Sequence, residues 1–249
     1  MIYIKSPREI ELMRPACRAV AITLRRLREY VRPGLSTLDL DRFAAECFKE
    51  LDVKPTCLNY NGFPAVLCVS VNEEIVHGIP SADRILAEGD VVSIDTGAVK
   101  NGFYGDSAIT LPVGKISAGA AKLLEVTERA LEEGLSVVRA GVRLGDVSSA
   151  IGRYAESHGM GVIEEYTGHG VGRRFHEDPS IPNFGVPGTG PMLKAGMTLA
   201  IEPMLSLGDP ALTILEDGWT AVTEDGSYAA HFEHTVVVTE DGCEILTME

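Results

Sequence analysis

The sequence predicts one α/β domain of the α+β kind, built from two helix-helix-strand units of similar pattern that pack around a cleft. Helical and strand-like periodicities follow one another in the same order twice along the chain. Short segments of the first half also match the second half at one constant offset. The 249 residues, 45% of them hydrophobic, can bury one substantial core.

Apolar spacing and capping residues set the expected elements. Helical periodicity, with Ser36 and Thr37 as the cap of the second helix, predicts helices over residues 7–30, 38–51, 117–138 and 145–158. Runs of apolar and β-branched residues predict strands over residues 66–71, 91–99, 197–205, 212–215 and 232–239. Each half therefore has two helices followed by strands.

Two separated segments repeat at the same spacing. Residues 31–34 resemble 138–141 and residues 86–89 resemble 193–196, and both pairs are 107 positions apart. A shared offset indicates an internal duplication, with pseudo-repeats over roughly 7–110 and 115–240 inside a single domain of residues 1–249. Two units should join their sheets and leave a cleft between them. At this offset Asp95 matches Glu202, so these carboxylates should face each other across a pseudo-two-fold axis.

Composition excludes several classes of protein. The 36 Asp and Glu against 22 Lys and Arg give a formal net charge of −14, which disfavours non-specific binding to nucleic acid or anionic membranes. The five cysteines are scattered and contain no C-x-x-C pair, so neither a disulfide framework nor a thiolate zinc site is expected. No long apolar run or secretory signal is visible. We expect a cytoplasmic protein without a membrane partner.

A hairpin signal brings two aspartates together. An Asn-Gly pair at 101–102 lies between strand-forming residues, which is the pattern of a two-residue hairpin turn. Pairing of the flanking residues would place Asp95 opposite Ala108, with Asp106 as its diagonal neighbour on the same face. Either aspartate alone is better interpreted as an exposed strand-end or turn residue. Together in an apolar strand pair, where an unpaired carboxylate is costly to bury, they indicate a cation site.

The second half supplies further ligand types. A Gly-His-Gly segment, a glutamate after an apolar strand and a His-Phe-Glu-His segment add one imidazole and two carboxylates. Two divalent ions would balance four carboxylates, and carboxylate-rich ligation suits Mn, Fe or Co better than a closed structural zinc site. The pattern predicts a two-metal hydrolytic site. Its expected ligands are Asp95, Asp106, His169, Glu202 and Glu233.

A set of segments resembles type I methionine aminopeptidases over nearly the whole chain. The segments are NGFYGDSAIT, GHGVGRRFHEDP, TLAIEPML, DGWTA and FEHTVVVTEDGCEIL. The set is specific, although GHG or FHE alone would be weak. The resemblance implies a pita-bread fold, with two pseudo-symmetric halves, a joined antiparallel sheet and a central metal cleft. It also implies a hydrolase that removes the N-terminal methionine of nascent polypeptides and prefers small second residues.

The resemblance assigns roles around two divalent metal ions (Co, Mn, Fe or Zn). Asp95 would chelate one ion, Asp106 and Glu233 would bridge both, and His169 and Glu202 would complete the second site. Glu202 would also shuttle a proton. His77 and His176 match the two non-ligand histidines of the family, which would stabilise the tetrahedral intermediate and contact the peptide backbone. Without the resemblance, His77 is better interpreted as a loop histidine with a local hydrogen bond.

Methionine selectivity needs a closed apolar pocket with soft or aromatic walls. The positions that match this pocket are Cys57, Tyr60, Phe63, Cys68, Phe175 and Trp219. Each of these residues alone is ordinary core material. Asn61 stands where a histidine is common in the family, and Phe63 where a tyrosine is expected. These departures concern side-chain preference rather than hydrolysis.

Two other functions share parts of the pattern. A prolidase-like peptidase would share the fold and the five ligands, but such enzymes usually carry a large extra N-terminal domain and more site histidines. A non-catalytic pita-bread module would bind peptides without cleaving them, but such relatives have lost ligands. The expected partner is the N-terminal peptide of nascent proteins, and the expected state is a monomer. Arg14, Arg18 and Arg25 recur at helical spacing, which indicates a solvated helix face, with ribosome docking as the alternative.

Overall fold

The computed structural model describes residues 1–249, which form four α-helices and fifteen strands. The helices are α1 (Pro7–Tyr30), α2 (Thr37–Glu50), α3 (Ala118–Val137) and α4 (Leu144–Ser157). The strands are β1 (Lys54–Pro55), β2 (Cys68–Val71), β3 (Glu74–Val76), β4 (Val91–Lys100), β5 (Phe103–Pro112), β6 (Gly161–Val162), β7 (Gly168–Gly170), β8 (Glu177–Ile181), β9 (Thr198–Ile201), β10 (Met204–Ser206), β11 (Leu212–Ile214), β12 (Ala221–Thr223), β13 (Ala229–His231), β14 (His234–Val238) and β15 (Cys243–Ile245). None of the helices combines the length and apolar character needed to span a bilayer.

The two halves have the same local structure at the offset of 107 positions. Helix α2 covers Thr37–Glu50 and α4 covers Leu144–Ser157, so both ends are shifted by this number. Gly34 and Gly141 adopt left-handed backbone, with φ of 90° and 86°, and each donates its N–H to the equivalent carbonyl downstream. Only glycine accepts this conformation without steric cost, so the same turn precedes the second helix of each half.

All strand pairs are antiparallel. One sheet has the order β1-β4-β2 with β5 on β4, and a second has the order β15-β14-β9-β7-β8. In the β4–β5 hairpin Lys100 pairs with Phe103 and Asp95 pairs with Ala108, which confirms the register predicted from the Asn-Gly turn. Two smaller three-stranded sheets complete the architecture.

The predicted strand over 197–205 is interrupted, and the strand predicted over 232–239 begins two residues late, at His234. Strand β9 ends at Ile201 and β10 begins at Met204, while β13 ends at His231 and β14 begins at His234. Pro203 has no N–H to continue the ladder, so pairing stops on both sides of it. These two breaks lie opposite each other, because Met204 pairs with His231 and Ile201 pairs with His234.

The breaks also join the sheets. The Glu233 N–H donates to the carbonyl of Ala108 on β5 at 2.9 Å. The hydroxyl of Thr235 donates to the Asp106 carbonyl at 2.8 Å and accepts from the Asp106 N–H at 3.1 Å. The joint between the halves therefore consists of hydrogen bonds between β5 and the start of β14, in place of one continuous ladder.

The strand predicted over 66–71 begins two residues late, at Cys68. The N–H groups of Val66 and Leu67 donate to Oδ1 of Asp41, at 2.8 and 2.9 Å. A carboxylate on α2 thus satisfies backbone groups that would otherwise need a strand partner.

Apolar packing forms one large core in each half and three smaller clusters, one of which joins α1 to strands of both halves. The first-half core places Leu24, Leu27 and Phe48 under the β4–β5 hairpin, and the second-half core surrounds α3 and α4. Between them, Met13 and Cys17 of α1 pack with apolar residues of β5, β9 and β14. Helix α1 passes very close to β5, since a Cβ on Gly105 would lie 2.7 Å from Cys17 Cα.

The N-terminal arm is tied to the second half by a buried ion pair. Lys5 Nζ donates to Glu177 Oε2 at 2.6 Å, and the two side chains are only 4% and 2% exposed. The other Glu177 oxygen accepts the N–H groups of Arg173 and Arg174, at 2.8 and 3.1 Å. Lys5 reaches this position because Gly172 has no side chain; a Cβ there would lie 2.3 Å from Lys5 Cε.

We predict that Lys5→Met lowers the free energy of unfolding by about 3–5 kcal/mol, because it leaves the Glu177 carboxylate buried without a cation. Lys5→Met combined with Glu177→Gln should recover part of this loss. The matched control is Lys49→Met, which removes an exposed lysine 3.7 Å from Glu46 and should cost less than about 1 kcal/mol. Urea denaturation measures the free energy of unfolding of the wild type and the three variants. A Lys5→Met variant as stable as the control would refute the stabilising role of the buried Lys5–Glu177 pair.

Candidate active site

One cavity of about 350 Å³ opens between the two halves and collects the residues singled out in the sequence. Its wall contains every one of them: Cys57, Tyr60, Phe63, Cys68, His77, Asp95, Asp106, His169, Phe175, His176, Glu202, Trp219 and Glu233. The wall also contains Asn61 and four residues to which sequence reasoning gave no place, namely Val76, Tyr166, Thr167 and Met204.

The four carboxylates of the cavity come from the hairpin and from the joint. Asp95 lies in the middle of β4, and Asp106 on β5 pairs with Gly97 two positions further on. Glu202 and Glu233 stand in the two opposed breaks, where the backbone leaves one ladder and turns toward the other sheet. Asp106 and Glu233 are almost completely buried, at 3% and 2% exposure. The folding pattern of both halves therefore directs acidic groups into one enclosed volume.

His169 presents one defined ring nitrogen to these carboxylates. Its Nδ1 lies 2.9 Å from the carbonyl of Gly170, so Nδ1 carries the hydrogen and donates it to that oxygen. Its Nε2 lies 3.5 Å from Asp106 Oδ2 and 3.6 Å from Glu202 Oε1. An imidazole fixed in this way by a backbone carbonyl is typical of metal-ligating histidines.

Without a cation the cluster is electrostatically unfavourable. Burial, together with the neighbouring Asp106 carboxylate, raises the pKa of Asp95 to about 8. Burial and the carboxylates of Asp106, Glu202 and Asp95 raise the pKa of Glu233 well above its usual value. For His169, burial lowers the pKa, but the carboxylates of Asp106 and Glu202 outweigh burial and raise it to about 9. Near neutral pH the metal-free cluster therefore retains several protons.

The donor set fits divalent cations. Ligand atoms of Asp106, His169 and Glu233 all lie within 4.8 Å of one another. One oxygen of Asp106 and one of Glu233 are buried and have no hydrogen-bond partner. Buried carboxylate oxygens without donors are costly unless a cation satisfies them. Asp95 and Glu202 line the same cavity, so four carboxylates and one imidazole are available to bind metal.

His231 begins the His-Phe-Glu-His segment, and the sequence alone did not predict a role for it. It is 1% exposed, its Nε2 lies 3.5 Å from Glu202 Oε2, and neither ring nitrogen has a hydrogen-bond partner. Burial lowers its pKa, but the carboxylates of Glu202, Asp95 and Asp106 together outweigh burial and raise the pKa. The alternation of His231 with Glu233, two positions apart along an extended segment, is the signal that places both on one side of the chain.

One part of the cavity wall is apolar and contains two cysteine thiols. Phe63 and Trp219 meet edge to face, with ring centroids 5.2 Å apart. Cys57 and Cys68 belong to the same buried cluster, and Cys68 pairs directly with Asp95 across β2 and β4. The pocket therefore ends beside the carboxylates. Its aromatic and thiol walls are of the kind that accommodates an unbranched thioether chain.

His77 and His176 stand at the sides of the pocket. The His77 ring meets Tyr166 and Trp219 edge to face, at centroid distances of 5.3 and 6.2 Å. Burial lowers the pKa of His77 to about 4, so this ring is neutral near pH 7 and offers one N–H donor. The His176 ring lies 4.1 Å from that of His169, between centroids, and borders the carboxylates.

We predict that binding of Mn²⁺ to the metal-free protein at pH 7 releases at least two protons, one from Asp95 and one from His169. Both groups have pKa values above 7 in the empty cluster and must be deprotonated to bind metal, so affinity should rise with pH up to about 9. Calorimetry in two buffers of different ionisation enthalpy counts the protons. The Asp95→Asn variant should release one proton fewer, and binding without proton release would contradict the assignment.

Residues 11–240 of this chain match the model of metallopeptidase family M24. Methionine aminopeptidase 1 of Bacillus subtilis (strain 168) is 51% identical over 247 residues, with 99% of each chain covered. The crystal structure of a methionine aminopeptidase from Thermotoga maritima superposes with a TM-score of 0.99 at 53% identity, covering all of both chains.

Prolidases are more distant. The prolidase from Pyrococcus furiosus gives a TM-score of 0.80 at 23% identity, and the match covers 99% of this chain but 65% of that one. At this identity the likeness shows the fold alone. The mixed α/β class and the pita-bread architecture expected from the sequence are confirmed. The chain therefore belongs to metallopeptidase family M24 and, within it, to the methionine aminopeptidases.

Proposed function

We propose that this protein removes the N-terminal methionine from peptides, in a reaction that depends on bound divalent metal ions. The observation that carries the proposal is that a carboxylate–imidazole cluster and a thiol- and aromatic-walled pocket share one cavity. Full-length relatives named methionine aminopeptidase support it. Peptide hydrolysis would occur where the cluster and the pocket meet.

Five side chains would hold the metal. In our proposal Asp95 would hold one ion, His169 and Glu202 would hold the other, and Asp106 and Glu233 would be available to both. Two divalent ions would polarise the scissile carbonyl and lower the pKa of a water molecule. The −4 charge of the carboxylates favours two ions over one, and the ligand types favour Mn, Fe or Co over Zn.

Side chains of the protein would carry out proton transfer and bind the substrate. Glu202 borders both His169 and His231, and it would accept a proton and pass it to the departing amine. His77 and His176 would donate hydrogen bonds to the peptide backbone and to the carbonyl oxygen as negative charge develops there. The Asp95 carboxylate would receive the free amino group of the substrate.

The shape of the cavity would determine which peptides react. Cys57, Phe63, Cys68 and Trp219 close the apolar end, and Phe175 covers its side. A Cβ on Gly97 would lie 2.9 Å from the Phe175 ring, so glycine at this position lets the ring approach β4. Tyr60 and His176 crowd the entrance, which would admit only a small second residue beside the methionine.

The other functions considered are less well supported. A prolidase-like activity rests on a shared fold at low identity, whereas the full-length relatives at about half identity are methionine aminopeptidases. A silent binding module is disfavoured because all five expected ligands line the cavity.

We further propose that residues 1–249 act as one cytoplasmic, monomeric catalytic domain whose partners are the N-terminal peptides of nascent proteins. The arginine stripe of α1 supports a solvated face better than ribosome docking. Arg14 makes a bidentate pair with Glu244, at 2.6 and 2.9 Å, and Arg25 pairs with Glu249. Both arginines are therefore neutralised within the chain.

We predict that metal-free protein supplied with Mn²⁺, Co²⁺ or Fe²⁺ releases methionine from Met-Ala-Ser, releases far less from Met-Leu-Ser, and leaves Leu-Ala-Ser uncleaved. Free amino acids measured after each addition test this directly. Asp106→Asn should lower kcat/KM by more than about 100-fold, since even outer partners of metal ligands contribute 10- to 100-fold.

The matched control is Asp241→Asn, which removes an exposed carboxylate that does not line the cavity and should behave like the wild type. Cleavage of Leu-Ala-Ser at a rate similar to Met-Ala-Ser would refute the pocket assignment. Methionine release by the metal-free protein, or wild-type activity of the metal-supplied Asp106→Asn variant, would refute the metal assignment.

A further inference from the structure

Tyr60 and His176 both line the cavity and are hydrogen-bonded to each other. The Tyr60 hydroxyl lies 2.7 Å from Nδ1 of His176, and their ring centroids are 5.2 Å apart. Tyr60 also meets Phe175 edge to face, with centroids 5.1 Å apart. The hydroxyl makes no other hydrogen bond within the protein. This contact joins the segment after β1 to the segment before β8.

The backbone around Tyr60 is folded to hold this position. Asn59, Asn61 and Gly62 all have left-handed backbone, with φ of 66°, 49° and 91°. Asparagine and glycine are the residues that adopt this region at least cost. The Tyr60 N–H donates to the carbonyl of Cys57 at 2.9 Å, so the turn is anchored to the pocket wall.

The hydroxyl can donate in this hydrogen bond when Nδ1 of His176 carries no hydrogen. Burial raises the pKa of Tyr60 above its usual value, so the phenol keeps its hydrogen throughout the neutral range. A phenol O–H directed at an unprotonated imidazole nitrogen satisfies both groups. The reverse arrangement would leave the phenol hydrogen without a partner in the protein.

We propose that Tyr60 is a positioning residue that sets the tautomer of His176, so that Nδ1 accepts from the phenol and Nε2 carries the hydrogen. The ring then offers its Nε2–H as a donor inside the cavity. This inference rests on the proposed function, because a donor at this place matters when a carbonyl oxygen gains negative charge during peptide hydrolysis.

Loss of the hydroxyl would free the other tautomer. His176 would then carry its hydrogen on Nδ1 in part of the molecules and present a lone pair on Nε2, which repels a developing oxyanion. A single oxyanion donor contributes about 100- to 1000-fold to kcat. Because kcat follows the fraction of His176 rings that keep hydrogen on Nε2, an even mixture of tautomers in Tyr60→Phe would lower kcat by about 2-fold, and KM should change by less than that.

The kinetic experiment compares Tyr60→Phe with a matched variant. Tyr104→Phe removes the same hydroxyl from a ring that also packs against Phe175, at 6.0 Å between centroids, but that makes no hydrogen bond to a histidine. With Met-Ala-Ser as substrate, Tyr104→Phe should keep the wild-type kcat and KM. An equal loss in both variants would mean that Tyr60 acts through packing, which overturns the proposal.

The second readout does not depend on activity. In Zn²⁺-loaded protein labelled with ¹⁵N at histidine, nitrogen chemical shifts distinguish a ring nitrogen that carries hydrogen from one that does not, and His176→Asn identifies the signals. The wild type should show hydrogen on Nε2 alone, and Tyr60→Phe should show a mixture. Hydrogen on Nδ1 in the wild type, or an unchanged tautomer in Tyr60→Phe, overturns the proposal.

The two readouts separate this inference from the proposed function. If the wild type releases no methionine with any metal, the proposed function fails whatever the spectra show. If the wild type is active and Tyr60→Phe changes neither kcat nor the tautomer, the proposed function stands and the positioning role of Tyr60 fails.

Discussion

The burial of four carboxylates in one cavity is the constraint on which the rest of the structure depends. Asp106 and Glu233 are nearly inaccessible to water, and their unpartnered oxygens face the same space as His169. Such a cluster opposes folding unless protons or cations neutralise it. The raised pKa values of Asp95 and Glu233 show this strain in the metal-free protein. Divalent metal thus serves stability as well as the proposed chemistry.

The duplicated architecture solves the problem of directing these groups inward. Glu202 and Glu233 lie in the two opposed breaks, at Pro203 and at Phe232, where the backbone leaves one ladder before it joins the next. The freed backbone groups find partners on β5, so the same break positions a ligand and joins the halves. Asp95 and Glu202 occupy equivalent positions at the offset of 107, which gives each half a carboxylate directly after an apolar run.

Local patterns predicted much of this from the sequence. Helix α1 has the predicted limits, and the β4–β5 register follows from the Asn-Gly turn, because both depend on neighbours in the chain. The strand breaks were not predicted, since the loss of one N–H at Pro203 matters only once the opposing strand is known. The capture of Val66 and Leu67 by Asp41, the Lys5–Glu177 pair and the Tyr60–His176 bond join residues 25 to 172 positions apart. No periodicity reports contacts of that kind.

The most direct test of the central claim compares the unfolding of metal-free wild type with that of metal-free Glu233→Gln at pH 8, each with and without Mn²⁺. Because burial and neighbouring carboxylates raise the pKa of Glu233, folding must either protonate it or bury its charge, and glutamine removes that cost. The account predicts that Glu233→Gln is the more stable protein without metal, and that Mn²⁺ stabilises the wild type far more than the variant. A metal-free variant less stable than the wild type, or equal stabilisation of both by Mn²⁺, would contradict it.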